Sequence, residues 1–249
     1  MRMRRLIVCL VFLCLSVLAL ACFDTYLFLN QSPMVYPVRM LAVEGFGEYS
    51  VNDVAHPGGD AMLMNANFYY GVSERMSVHL GFGSDEKPRD QIALDVVSFS
   101  ANYNILGRTG DVYTLDGILA CTNNPNEKGV SLEVSAPNII HKREYTIVAH
   151  PVLEMVTGDN SDASIGTHFG LFRSFNNRAI FGIGAEYKSG QGGPYFSDRL
   201  TEGEAAASFF FGTMIGKNFY IQNEFAKGLA NSRDFGFATT FKFLFDFNR

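Results

Sequence analysis

The chain has 249 residues, 47% hydrophobic and 18% charged, with 24 Gly, 23 Phe and no Trp, which suits one large domain and excludes a disordered chain. Its formal net charge of −5 excludes a nucleic-acid binder, which needs a basic face. Of its four cysteines, two lie in the leader described next, and the other two make neither a disulfide framework nor a zinc pattern.

The N-terminus reads as an export signal over residues 1–21. Arg2, Arg4 and Arg5 form a basic region, an apolar run begins at Leu6, and Ala19-Leu20-Ala21 supplies a small-residue cleavage site. The run from Leu6 to Phe23 also reaches the lower edge of a membrane-spanning helix, but the cleavage site favours removal. Lipidation at Cys22 is disfavoured because Ala19 stands where such signals usually carry Leu. Loss of Arg2, Arg4 and Arg5 takes the formal charge from −5 to −8. Residues 22–37 are then expected to be a periplasmic N-terminal segment and residues 38–247 the main domain.

After the signal, about twelve segments alternate with period 2, and none reads as a long amphipathic helix. In MLAVEGFGEYS, Leu41, Val43 and Tyr49 oppose Glu44 and Glu48; in AMLMNANFYYGV, Met62, Met64, Phe68 and Tyr70 oppose Asn65, Asn67 and Tyr69. MSVHLGFGS sets Val78, Leu80 and Phe82 against His79. IALDVVSFSANYN slips phase at Val96-Val97, which predicts a β-bulge. VYTLDGILAC carries Asp116 on its polar side and GVSLEVSA carries Glu133, with Pro137 ending or kinking that strand. In YTIVAHPVLEMV, Tyr145, Ile147 and Leu153 oppose His150 and Glu154, and Pro151 falls on the apolar face. SIGTHFGLF sets Phe169 against His168, and AIFGIGAEYK sets Phe181 and Ile183 against Glu186 and Lys188. EAAASFFFGTMI and FYIQNEFAKG place Phe209, Phe211 and Phe225 opposite Gln222 and Glu224, with Asn223 interrupting the apolar face. The closing FGFATTFKFLFDF sets Phe235, Phe237, Phe241, Phe243, Phe245 and Phe247 against Lys242, Leu244 and Asp246.

Short basic or turn-like connections (VSERM, GRTGD, HKRE, FNNR, GKN) alternate with mostly longer Gly-, Pro- and acid-rich ones (VNDVAHPGGD, SDEKPRD, TNNPNEKG, TGDNSDAS, SGQGGPYFSDRLTEG, ANSRD). That alternation predicts an all-β fold, a transmembrane antiparallel up-and-down β-barrel of about 12 strands, with short turns and both termini periplasmic. The signal, the alternation and the aromatic terminal strand together resemble the outer-membrane β-barrels of Gram-negative-type cells. The hairpin YYGVSERMSVHLGFG is similar to those of porin- and transporter-like members. The resemblance implies residence in the outer membrane, contact with its lipid and lipopolysaccharide, and recognition of the terminal strand by the barrel-assembly machinery, although Asn248 and Arg249 follow the last aromatic, Phe247.

A charged side chain facing lipid at mid-membrane costs about 2–4 kcal/mol for Lys or Arg and less for acids. The charged faces are therefore expected to line the lumen, through Glu44, Glu48, Asn65, Asn67, His79, Asp116, Glu133, His150, Glu154, His168, Glu186, Lys188, Gln222, Glu224, Lys242 and Asp246. The apolar faces, with Phe68, Phe82, Phe169, Phe181, Phe209, Phe211, Phe225, Phe237, Phe241, Phe243 and Phe245, are expected to meet lipid. The acid excess suits cations or neutral polar solutes, so the leading expectation is a narrow channel or transporter for small hydrophilic solutes. The rival expectation is a structural or partner-binding barrel with a plugged lumen in an envelope assembly.

No catalytic, cofactor or metal role is assigned. His150, Glu154 and His168 share one face as a potential acid/base or metal cluster, yet histidines in a wet lumen are more often network members. The His-x-Ser spacing of outer-membrane lipid hydrolases is missing: Gly81, Val152 and Gly170 stand two residues after His79, His150 and His168. A lipid-modifying enzyme is thus the weakest alternative. SGQGGPYFSDRLTEG is a candidate surface-binding or lumen-occluding loop, and GDNSDAS lacks calcium-loop spacing.

Overall fold

The computed structural model describes residues 23–51, 53, 60–84, 87–88, 96–124, 129–157, 162–189 and 203–248. The signal, Cys22 and most of the long connections, including the longest loop and GDNSDAS up to residue 161, lie outside the described residues.

One short helix, α1 (Thr25–Leu29), precedes β1 (Met40–Val51), β2 (Ala61–Ser73), β3 (Met76–Gly83), β4 (Lys87–Pro88), β5 (Val96–Leu106), β6 (Tyr113–Asn124), β7 (Gly129–Ser135), β8 (Asn138–Lys142), β9 (Tyr145–Thr157), β10 (Asp162–Phe175), β11 (Ala179–Lys188), β12 (Glu204–Ile215), β13 (Phe219–Ala230) and β14 (Phe235–Asp246). Among the described residues no helix is long and apolar enough to cross a membrane.

Successive strands pair antiparallel, and β1 pairs with both β2 and β14, so the sheet closes on itself. The two-residue β4 is an extension bonded to the far end of β2. β7 and β8 are one strand interrupted at Ala136-Pro137, since both pair with β6 and β9 in a single continuing register. The result is a closed antiparallel barrel of twelve strands.

The interruption has a simple cause. Pro137 has no N–H for β6, yet its carbonyl still accepts from the Asp116 N–H at 3.0 Å. Pro151 on β9 faces outward beside it, accepts from Ala136 at 3.1 Å and likewise donates nothing. Each proline removes one ladder bond, on opposite edges of the same short stretch, and the register survives. Of the two readings of Pro137, ending or kinking the strand, the structure has the second: the strand resumes at Asn138 and runs to Lys142, into the first two residues of the HKRE connection.

Register shifts fall at Gly71/Ser73, Asn104/Leu106 and Ala205/Ala206. The pairing of β5 with β3 is continuous from Val96 to Tyr103, and the residues that would precede a bulge at Val96-Val97 lie outside the described ones. At the FNNR turn, Asn176 and Asn177 both adopt positive φ (51° and 52°), the left-handed conformation that a tight hairpin requires and that Asn tolerates.

Large apolar side chains cover the outer face. Phe181, Phe209, Phe225 and Phe237 form a cross-strand band over β11 to β14, with ring centres 6.4, 4.8 and 4.9 Å apart in turn, each contact adding about 0.5–1.5 kcal/mol. Asn223, the polar break in this face, accepts a hydrogen bond from its ladder partner Thr239 at 3.0 Å, which pairs the two polar side chains.

The inner face has two characters. Toward the long connections it is polar; toward the short turns it carries apolar residues, with Ile139, Val148, Phe172, Ile180, Phe210, Tyr220 and Leu244 all buried inward, beside buried Asn104, Thr114, Asp116, His141 and Thr146. The apolar residues meet Phe23, Leu27, Phe28 and Leu29 of the N-terminal segment. That segment, expected as a periplasmic N-terminal segment, occupies the short-turn half of the barrel. Phe172 packs 5.2 Å from both Phe23 and Phe28. Its ring lies over Gly170 and Gly182, where an added Cβ would come within 2.4 and 2.1 Å of it. Inward glycines thus make room for the aromatic rings that receive the segment.

Phe172→Ala is expected to weaken docking of the segment by about 3–5 kcal/mol, read as exchange of the Asn30, Gln31 and Ser32 amides faster by more than about 100-fold. Unchanged protection would contradict a packed contact.

Candidate functional site

The site is the lumen, and its geometry follows from one cation. Lys242 lies four residues from the short-turn end of β14, on the inner parity, and is only 2% exposed. Its ladder partner is Glu44, whose carboxylate is 3.0 Å from Nζ. On the other side Nζ meets Asp24 of the N-terminal segment at 2.6 Å and donates to the Tyr36 hydroxyl at 2.6 Å. Tyr36 in turn donates to Asp24. The ammonium also stands 5.4 Å from the Tyr36 ring centre and 5.1 Å from that of Tyr69, a cation–π arrangement that favours charge out of water.

Glu44 completes the cluster by accepting from Asn67 at 2.8 Å and Tyr69 at 3.2 Å. Tyr36, Tyr69 and His79 stack in series, with ring centres 5.1 and 4.6 Å apart. His79 is held by Asn67 and Ser100.

Further contacts fix the rest of the segment. Thr25 donates to Gln222. The fully buried Asp116 accepts from the Met34 N–H and from Asn104, both at 2.8 Å, and Asn102 donates to the Met34 carbonyl at 3.0 Å. Gln31 reaches the short turns, accepting from Gly110 at 3.0 Å and donating to the Arg143 carbonyl at 2.6 Å.

A cavity of about 330 Å³ remains between the segment and the barrel wall, bordered by Asp24, Tyr36, Glu44, Phe46, Ser100, Glu133 and His150 among others. A second cavity of about 290 Å³ lies at the short-turn rim, bordered by Pro33, Val35, Pro37, Arg75 and Arg108. Tyr36 borders both, so the chain around Met34–Tyr36, a bend at Met34 and Val35, stands between them.

Glu44, Glu48, Asp116, His150, Gln222, Glu224 and Lys242 are buried, and Asn65, Asn67, His79, Glu133, Glu154, His168, Glu186 and Lys188 are partly buried with the same inward parity. Asp246 lies instead at the rim, exposed, and accepts from the Asn248 backbone and side chain at 2.9 and 3.0 Å. The eleven phenylalanines assigned to the apolar face are all exposed on the outside, from Phe68 to Phe245.

Glu154 is turned away from the histidines. It pairs with Lys188 at 2.6 Å and accepts from Ser131 at 2.7 Å. Glu48 pairs with Arg233 at 2.7 Å. Among the described residues no group of three or more His, Cys, Asp and Glu is placed to hold a metal. The residues absent from the sequence reading are Asp24, Thr25, Met34 and Tyr36 in the segment and Arg233 near the long connections. The available signal was the set of inward positions that are apolar, such as Phe172, Phe210 and Leu244.

No protein-family model and no curated protein matches this chain. Solved structures do. An outer membrane channel from Pseudomonas putida F1 is similar with a TM-score of 0.67 and 12% identity, over 87% of this chain and 98% of that one. The KdgM porin, in complex with disordered oligogalacturonate, gives 0.59 and 6%, over 81% and 98%. The NanC porin gives 0.57 and 12%, over 82% and 98%. The fold is that of an outer-membrane β-barrel.

Lys242→Met leaves Asp24 and Glu44 buried without their counter-charge, and is expected to destabilise the protein by about 3–5 kcal/mol in denaturant titrations. Adding Asp24→Asn should recover part of that loss. Strictly additive losses would show that the two do not interact.

Proposed function

We propose that this chain is a narrow outer-membrane channel for small hydrophilic solutes, with preference for cationic and neutral ones. The carrying observation is the cavity beside the N-terminal segment, walled by Glu44, Glu133 and Asp24. Among the described residues, the inward positions Asp24, Glu44, Glu48, Asp116, Glu133, Glu154, Glu186 and Glu224 face Lys188, Arg233 and Lys242. An acid excess inside low-dielectric walls concentrates cations and repels anions. The oligogalacturonate recorded with the KdgM porin is a polyanion, and this lumen disfavours such a cargo.

The outer apolar belt supports membrane residence, because only a closed sheet satisfies its backbone in lipid. In this reading the lipid and lipopolysaccharide of the outer membrane contact the phenylalanine face. The short turns and both termini face the periplasm, and the assembly machinery reads β14. The N-terminal segment narrows the periplasmic half, so solutes pass between it and the barrel wall that borders the cavity, with Met34–Tyr36 as the constriction. No catalytic step or cofactor is required.

A second reading has one observation in its favour. Phe23, Leu27, Phe28 and Leu29 are at most 4% exposed within the barrel, packing as tight as a permanent plug needs. The barrel would then serve an envelope partner through its rims or loops.

Planar-bilayer recordings separate the two. The channel reading predicts discrete conductance steps and, in a KCl gradient, a reversal potential on the cation side that moves toward zero in Glu133→Gln. An anion-side reversal potential would overturn the acid-lined path. Absence of steps together with a stoichiometric co-purifying partner would establish the plugged barrel instead.

A further inference from the structure

His150 and His168 are directly opposed partners in the β9–β10 ladder and both point inward at mid-height, where the Phe23 ring meets His168 edge-on at 6.4 Å. Their ring centres are 5.4 Å apart and their planes inclined by 66°. His150 is 4% exposed and borders the lumen cavity. Among the described residues neither of its ring nitrogens has a hydrogen-bond partner. The contrast with its neighbours is clear: His79 is engaged by Asn67 and Ser100, and His141 by Thr146 at 3.0 Å. Burying an imidazole with both nitrogens unengaged is costly, so this ring is arranged for something that enters the cavity.

We propose that His150 and His168 form a binding station for a divalent transition-metal ion of the zinc, copper or nickel type. One nitrogen of each ring would ligate the ion, with water or solute in the remaining positions. Imidazole nitrogen suits these borderline metals, whereas magnesium and calcium require oxygen ligands. The spacing fits: with metal–nitrogen bonds of about 2.0–2.1 Å and each nitrogen about 1.1 Å from its ring centre, rings at this separation subtend about 115° at a shared ion, close to tetrahedral. Glu154 is committed to Lys188, Ser131 and Ser164 and supplies no third ligand. With two protein ligands the ion stays exchangeable, as a station on a path requires, and the carboxylates of Asp24 and Glu133 on the same cavity wall raise the local cation concentration. The site does not depend on whether the lumen conducts.

Calorimetric titration of the folded, untagged full chain in detergent with Zn²⁺ tests the assignment. One Zn²⁺ per chain is expected to bind in the micromolar range and to survive a millimolar excess of Ca²⁺ or Mg²⁺. His150→Gln and His168→Gln are each expected to weaken binding at least tenfold, and His79→Gln to leave it unchanged, with heat-modifiable gel migration verifying that each barrel is closed. Saturable binding that persists in both His150→Gln and His168→Gln, or no binding below about 1 mM, would overturn the site. Either result leaves the channel reading to its own bilayer test.

Discussion

The structure depends on a buried ammonium shared by three parts of the chain. Lys242 brings the last strand, the first strand and the N-terminal segment to one point, through Glu44 beside it in the ladder and Asp24 across the lumen. Removing an ammonium from water costs several kcal/mol, and only well-placed partners repay it. Here two carboxylates, a tyrosine hydroxyl and two aromatic faces do so. The ladder pair lies at the seam where the barrel closes, so closure of the sheet and docking of the segment draw on the same residue.

The second constraint is the division of the inner wall. A water-filled barrel would line its whole interior with polar side chains, whereas this one carries Phe172, Ile180, Phe210 and Leu244 inward near its short turns. Such a surface is unstable against water and stable against the apolar face of α1. Polar groups are interleaved with it: Lys242 and Asp116 hold Asp24 and Met34 of the segment, and the cavity runs along the segment from Phe23 to Tyr36. The apolar and polar parts of the wall thus both hold the segment, and the proposed path runs beside it.

Much of the architecture was legible from sequence because it is local. Period-2 alternation identifies a strand and assigns its faces without knowledge of its partners, so the twelve strands and the outward phenylalanines follow from patterns such as FKFLFDF. Pro137 was legible as an interruption, but the continuation through Asn138–Lys142 required the pairing of β8 with β6 and β9. Asp246 shares the parity of Lys242 yet lies at the rim, because parity gives a face and not a height. The placement of the N-terminal segment was not legible, since Asp24 meets Lys242 across almost the whole chain. DTYLFL carries no marker distinguishing a periplasmic peptide from one packed in a lumen. Leu244 held the clue: an apolar residue on the charged face of a membrane strand needs an apolar partner inside the barrel.

The N-terminal segment, held by Lys242, is what narrows the short-turn half of the lumen. The most direct test is single-channel conductance of the full chain beside a variant lacking residues 23–36, each verified as a folded barrel. A several-fold rise in unitary conductance on removal is the predicted result. An unchanged conductance in a folded, segment-free barrel would contradict the account.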